Sequence, residues 1–81
     1  VNSSIAHPRD IFKSAIKNNA VTIILLHNHP SGDPSPSIQD RELTEKVKES
    51  GKILGIKLND HIIIGKNSFY SFNKSMICSG V

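Results

Sequence analysis

The sequence predicts an α/β domain with a central mixed β-sheet flanked by helices, one on each side. Three observations support this prediction: a β-branched and leucine-rich run at residues 21–26, apolar residues at helical spacing before and after it, and alternating strand-like stretches beyond residue 55. The 81 residues are enough for one small domain, whose core would be marginal unless something else supports it.

The first helix is predicted to begin at Pro8, because proline suits the first turn and Asp10 places a negative charge near the helix N-terminus. We expect it to end near residues 18–19, and we expect His7 to be a capping or surface histidine. Residues 1–6 resemble the end of a strand or a lead-in. Four residues form the apolar stripe that would lie on the sheet: Ile11, Phe12, Ala15 and Ile16.

The run at residues 21–26 is too short for a helix of its own and predicts a strand. Strand side chains alternate, so the face that carries Leu25 also carries His27 and His29. Both faces are largely apolar, which predicts a central strand covered on both sides. The two histidines would then project side by side from the C-terminal end of this strand.

A second helix is predicted over residues 37–54, after a loop of turn-forming residues in which Asp33 is a turn former. Ser37 would open this helix, and Gly55 would end it in the left-handed conformation. Asp40 then lies in the first turn, where its carboxylate can face the histidines. The expected buried residues are Leu43, Val47 and Leu54, and the expected solvated charges are Arg41, Glu42, Glu45, Lys46, Lys48 and Glu49.

A β-hairpin is predicted after this helix. Residues 56–58 and 61–64 form one bent strand or two short ones, residues 65–67 form a turn, and residues 68–72 alternate as the hairpin partner. The remaining residues, from position 73 onward, show no clear period and are expected to fray.

A metal site is predicted where His27, His29 and Asp40 meet. Neutral imidazole is a common zinc ligand, and two histidines with one carboxylate leave a position open for water, as in catalytic zinc sites. Taken alone, the histidine pair could be a surface pair, and the spacing of Ser37 and Asp40 could be only a helix cap. His61 is expected to give structural support, in a buried hydrogen-bonded pair with Asp60, rather than to bind metal.

Composition excludes several classes of protein. The net charge of +3 is spread along the chain, which indicates a solvated surface more than a nucleic-acid interface. The single cysteine, Cys78, excludes an internal disulfide and fits a reducing compartment. With no membrane-length apolar run and no signal-like segment, we expect a cytoplasmic protein without a membrane partner. The chain begins at Val1, and its one methionine is Met76, so we expect a piece of a longer protein.

The pattern His-x-His, seven residues, Ser, two residues, Asp resembles the JAMM (MPN-type) metalloproteases, and His27, His29, Ser37 and Asp40 occupy its positions. The flanking sequences resemble the bacterial RadC family of that superfamily; they are Pro8-Arg9-Asp10, residues 27–32, Leu43-Thr44 and residues 60–65. The resemblance implies a cytidine-deaminase-like fold. It also implies that residues 1–81 are a single RadC-like domain, the C-terminal portion of the family domain, without its N-terminal strands.

This resemblance implies a zinc-dependent metallopeptidase in which a metal-bound water hydrolyses a peptide or isopeptide bond of a peptide or protein substrate, with Ser37 stabilising the oxyanion. In the family a glutamate on an earlier strand acts as the base, but residues 1–26 contain none. Asp10 aligns with the acidic residue of the family's Pro-Arg-Glu/Asp sequence instead. The second helix also contains glutamates, but none of them matches the family position. They are Glu42, Glu45 and Glu49.

The alternative is a non-catalytic binding module of a DNA-repair-associated RadC protein, with any DNA contact made by regions outside this chain. Other metal-dependent classes fit poorly. An HNH nuclease spreads its residues over a ββα unit, and neither His-Glu-x-x-His nor Pro-Cys-x-x-Cys occurs.

Overall fold

A computed structural model describes residues 7–79. The elements, in chain order, are α1 (Pro8–Lys17), β1 (Thr22–Asn28), α2 (Ile38–Leu54), β2 (Lys57–Ile64), β3 (Ser68–Ser71) and β4 (Met76–Ser79). The predicted α/β class, with a mixed sheet and helices, is confirmed. The strand end or lead-in expected at residues 1–6 lies outside the described residues. Across residues 7–79, neither helix combines the length and apolar character needed to span a bilayer.

The four strands lie in the order β1-β2-β3-β4; β1 runs parallel to β2, and the other two pairs are antiparallel. Within residues 7–79, β1 is therefore an edge strand. The prediction of a central strand covered on both sides is wrong here, since Ile24 and Leu26 are 54% and 68% exposed. Apolar residues on both faces of a strand indicate burial, but they do not fix its place in the sheet.

Both helices contribute to one core. Phe12 and Ala15 of α1 join Val47 of α2, and the partly buried Ile23 and Leu25 of β1 pack against them. The expectation of one helix on each side of the sheet is therefore corrected, because Ile23 and Leu25 lie on the same face of β1. A helical apolar stripe shows which side of a helix is buried, but not which face of the sheet it covers.

Helix α2 has the predicted ends, with Ser37 as its N-cap and Gly55, at φ 75°, as its C-cap. Leu54, however, is not on the buried face. The buried stripe continues through Gly51, where a Cβ would lie 2.1 Å from the carbonyl oxygen of Ile56. The helix thus passes so close to the start of the next segment that only glycine fits. The buried residues of α2 are Asp40, Thr44, Val47 and Gly51.

Strand β2 is one continuous strand with a bulge. Its register against β1 pairs Ile23 with Leu58 and Ile24 with Asp60, which leaves Asn59 as the extra residue. Leu58 therefore packs against the core, and His61, three residues later, is also buried. The bulge explains why the sequence could be interpreted as one bent strand or two short ones.

The predicted hairpin is confirmed, since β3 pairs antiparallel with β2. The expectation that the chain frays from residue 73 onward is wrong for its described part. β4 pairs with β3, and Tyr70 lies opposite Ile77. The chain turns back just before β4 at Ser75, which has a positive φ of 54°. A four-residue strand is too short to show a period in the sequence.

Candidate metal centre

The structure brings the three predicted ligands together where β1 ends and α2 begins. Nε2 of His27 lies 3.4 Å from Oδ1 of Asp40, and Nε2 of His29 lies 3.0 Å from Oδ2 of the same carboxylate. One potential ligand atom from each residue lies within 4.8 Å of the others. Two ligands of a tetrahedral zinc ion are about 3.3 Å apart, from bonds of about 2.0–2.1 Å. The spacing therefore suits a small cation.

The loop between the histidines and α2 is ordered by its own polar groups. The carboxylate of Asp33 accepts a hydrogen bond from the N–H of Ser35 at 2.9 Å, which confirms the turn predicted there. Hydrogen bonds from Ser35 lower the pKa of Asp33. The main-chain oxygen of Asp33 lies 2.9 Å from Nδ1 of His29. The turn thus also orients a predicted metal ligand.

The same loop is attached to the β2–β3 turn. The N–H of His29 donates to the oxygen of Ile64 at 3.1 Å, and the N–H of Lys66 donates to the oxygen of Gly32 at 2.8 Å. A Cβ at Gly65 would lie 2.5 Å from that Gly32 oxygen, so this close approach requires glycine. The hairpin therefore holds the His29 loop in place.

Ser37 and Asp40 form a reciprocal capping box. The Ser37 hydroxyl oxygen accepts the N–H of Asp40 at 3.1 Å, while the Ser37 N–H donates to Oδ2 of Asp40 at 2.8 Å. Because the hydroxyl acts as an acceptor in the cap, its own proton remains free to donate. Burial alone would raise the pKa of Asp40, but the Ser37 hydrogen bonds and the nearby His27 and His29 lower it below 3.8. Asp40 is therefore ionised at neutral pH.

The hydrogen-bond partners of His29 are compatible with a cation in this site. Nδ1 faces the carbonyl oxygen of Asp33 and Nε2 faces the carboxylate of Asp40, so both ring nitrogens point at acceptors. A neutral imidazole carries only one N–H. A second ring proton, or a cation between Nε2 and the carboxylate, satisfies both contacts. With the proton on Nδ1, the Nε2 lone pair points toward Asp40, as a metal ligand requires.

His61 lies behind this group and is only 1% exposed. Its Nδ1 lies 2.7 Å from the hydroxyl of Thr44, and that hydroxyl donates to the main-chain oxygen of Asp40 at 2.8 Å. The single hydroxyl proton is used on Asp40, so Nδ1 of His61 must be the donor to Thr44. Burial lowers the pKa of His61 from 6.5, against the opposing charge of Asp40. The ring is therefore neutral at pH 7, with its proton on Nδ1.

The expected hydrogen-bonded pair of His61 with Asp60 is present. The Asp60 carboxylate accepts the main-chain N–H of His61 at 2.7 Å and the Ser71 hydroxyl at 2.7 Å. It also accepts the N–H of Asn73 at 2.9 Å. The pair thus uses the main chain of His61, while its imidazole ring bonds to Thr44. Adjacent side chains on a strand point to opposite faces, so the ring of His61 turns toward α2.

The triad lies in the wall of a cleft of about 650 Å³. His7, at the edge of this cleft, accepts the N–H of Arg9 on Nδ1 at 3.0 Å, which confirms its predicted role as the α1 cap. Glu42 and Lys46 also line the cleft, although the sequence predicted only a solvated charged face. Both are exposed, so no hydrophobic pattern distinguishes them. The available signal was their helical spacing from Gln39, which also lines the cleft.

Known proteins are similar to this chain over most of its length. The family model described as RadC-like JAB domain matches residues 1–77. A UPF0758 protein of Desulforudis audaxviator is 61% identical over 71 residues, which cover 88% of this chain and 31% of that protein. A UPF0758 protein of Trichlorobacter lovleyi is 52% identical over 75 residues, which cover 93% of this chain and 33% of the relative. The chain thus spans about a third of the length of these curated relatives.

Proposed function

The chain belongs to the RadC-like JAB domain family, and on that premise we propose that it is a zinc-dependent metallopeptidase domain acting on a peptide or isopeptide bond in the cytoplasm. One observation supports this most directly: His27, His29 and Asp40 present ligand atoms within 4.8 Å of one another. They do so in the wall of a cleft that also contains Ser37. A peptide carbonyl entering this cleft would lie close to all four side chains.

Different residues would bind the metal and stabilise the oxyanion. When bound, zinc supplies a Lewis acid that polarises a carbonyl and acidifies water. His27, His29 and Asp40 would hold it, and the Asp33 carbonyl would accept the proton on Nδ1 of His29 so that Nε2 presents its lone pair to the metal. Ser37 would donate its free hydroxyl proton to the carbonyl oxygen as negative charge develops there.

The family resemblance assigns the general base to a glutamate upstream of the first histidine. Residues 1–26 contain no glutamate. Asp10 does not replace it, because it lies exposed in the first turn of α1. We therefore propose that this chain provides the metal ligands and the oxyanion donor, and that the base comes from elsewhere in a longer protein.

Metal analysis tests the proposal directly. We expect about one zinc per chain in the wild-type protein, and its loss in the double variant His27→Ala/His29→Ala. His7→Ala is the matched control, since His7 borders the same cleft but is outside the triad. It should keep the metal. Stoichiometric zinc in a folded double variant, judged by circular dichroism, would contradict the assignment.

A second candidate is a non-catalytic binding module of a RadC protein, favoured by the absence of glutamate from residues 1–26. The two candidates differ in the behaviour of a longer version of the protein. A peptidase should cleave peptide or isopeptide substrates in a chelator-sensitive manner. A binding module should show no cleavage with zinc bound and every family residue present.

A further inference from the structure

A buried chain of hydrogen bonds lies behind the metal site. It runs from Nδ1 of His61 to the Thr44 hydroxyl at 2.7 Å, and from that hydroxyl to the main-chain oxygen of Asp40 at 2.8 Å. His61, Thr44 and Asp40 are 1%, 5% and 6% exposed. Each link has one donor and one acceptor, so the direction of the whole chain is fixed. Hydrogen bonds in such a chain polarise and strengthen one another.

His61 contacts both elements that carry the predicted ligands. Through Thr44 it reaches the first turn of α2, where Asp40 lies. Its ring also lies edge-on to that of His27, with centroids 6.2 Å apart. On its other side the ring stacks on Phe72, with centroids 4.8 Å apart and planes 12° apart. The imidazole is thus fixed by packing and by a hydrogen bond at once.

From this arrangement we infer that His61 is a positioning residue: through Thr44 it sets the rotation of the first turn of α2, and so holds the Asp40 carboxylate opposite His27 and His29. The inference rests on the proposed metal site. A loss of the His61–Thr44 bond would leave the helix folded, because the capping box of Ser37 remains. It would, however, remove the hydrogen bond by which β2, through Thr44, holds the helical turn that carries Asp40.

Paired variants separate the hydrogen bond from the bulk of the side chain. His61→Phe keeps a ring to stack on Phe72 but loses the donor, whereas His61→Asn keeps an N–H near the position of Nδ1. Thr44→Val keeps the shape and loses the hydroxyl, whereas Thr44→Ser keeps it. Cobalt(II) is the probe, since its visible absorption reports ligand geometry and its dissociation constant is measured by titration.

We expect the wild-type chain to bind one cobalt ion with a tetrahedral spectrum. His61→Phe and Thr44→Val should weaken binding by about 10- to 100-fold, the usual effect of losing a partner behind the ligands, and should change the spectrum. His61→Asn and Thr44→Ser should restore both properties. Val47→Ala is the control for lost stability, because Val47 is fully buried in α2 but outside the hydrogen-bond chain; its spectrum should be that of wild type.

The outcomes distinguish the metal site from the positioning role of His61. Failure of the wild-type chain to bind cobalt would overturn the metal site itself. Normal binding and an unchanged spectrum in His61→Phe would overturn the positioning role alone. If His61→Phe does not fold, Thr44→Val and Thr44→Ser decide the question, since both change only the hydroxyl-bearing side chain.

Discussion

Ser37 and Asp40 bind each other twice: the Ser37 hydroxyl accepts the N–H of Asp40 at 3.1 Å, and the Ser37 N–H donates to the Asp40 carboxylate at 2.8 Å. Ser37→Ala should therefore lower the free energy of unfolding by about 0.5–2 kcal/mol. In a longer version of the protein that carries the upstream glutamate, it should lower kcat more than it raises KM, because a transition-state contact is lost.

Ser37→Gly separates these two roles. Glycine at an N-cap costs only a few tenths of a kcal/mol, but it also lacks the hydroxyl proton. We expect near-normal stability by urea titration together with the same fall in kcat as in Ser37→Ala. A Ser37→Gly variant with wild-type kcat would leave Ser37 with the capping role alone.

The 81-residue chain alone should be catalytically silent even with zinc bound. General acid–base catalysis typically contributes about 10²- to 10⁴-fold in rate, and residues 1–26 contain no glutamate to provide it. The measurement compares zinc-loaded chain with a longer version on the same peptide and isopeptide substrates. Chelator-sensitive cleavage by the 81 residues at the rate of the longer protein would show that the base lies within this chain.

Gly51→Ala should destabilise the domain, although alanine normally stabilises a helix interior by about 1 kcal/mol relative to glycine. The added Cβ would lie 2.1 Å from the oxygen of Ile56, so the end of α2 would have to move away from the following segment. Thermal and urea unfolding should both show the loss. Lys52→Ala, a change at the next, exposed position, should be nearly neutral. Increased stability of Gly51→Ala would mean that this close approach is absent in solution.

The stability of the domain should fall in acid partly through Asp60. Burial alone would raise the pKa of Asp60, but hydrogen bonds from Ser71, Asn73 and His61 lower it below 3.8. Because the folded-state pKa is below the unfolded one, the stabilisation is complete above about pH 4 and is lost as the pH falls through the folded-state value.

Asp60→Asn should therefore be less stable at neutral pH and should show a flatter stability profile below about pH 4 in metal-free buffer. The amide has only one acceptor oxygen for the three donors that the carboxylate now accepts. Glu45→Gln, a change of an exposed carboxylate on α2, serves as the control and should keep the wild-type slope. An acid slope in Asp60→Asn equal to that of wild type would rule out this contribution.

Local chemistry made the ends of the helices predictable. Pro8, Ser37 and Gly55 each favour one position in a helix because of their own backbone or capping properties, and each occupies it. The positions of the strands relative to one another depend on longer-range packing. For this reason the sequence did not show that β1 lies at an edge of the described sheet, or that both helices pack on one face.

In the candidate site, too, local features were predictable and long-range contacts were not. The grouping of His27, His29 and Asp40 was predictable, because a strand end and a helix start joined by a turn-rich loop must lie close together. The bond between Thr44 and His61 joins residues 17 positions apart on different elements, and the bulge at Asn59 determines which face His61 occupies. No local pattern encodes that combination.

The hydrogen bond from the Lys66 amide to the Gly32 oxygen, 2.8 Å long, makes this amide a reporter on the loop that carries His29. Its proton can exchange with solvent only when the loop separates from the β2–β3 turn. The exchange rate of one backbone amide, distant in sequence from every predicted ligand, thus measures how often the His29 loop opens. Any ion or substrate that holds the loop closed should slow that exchange without touching Lys66.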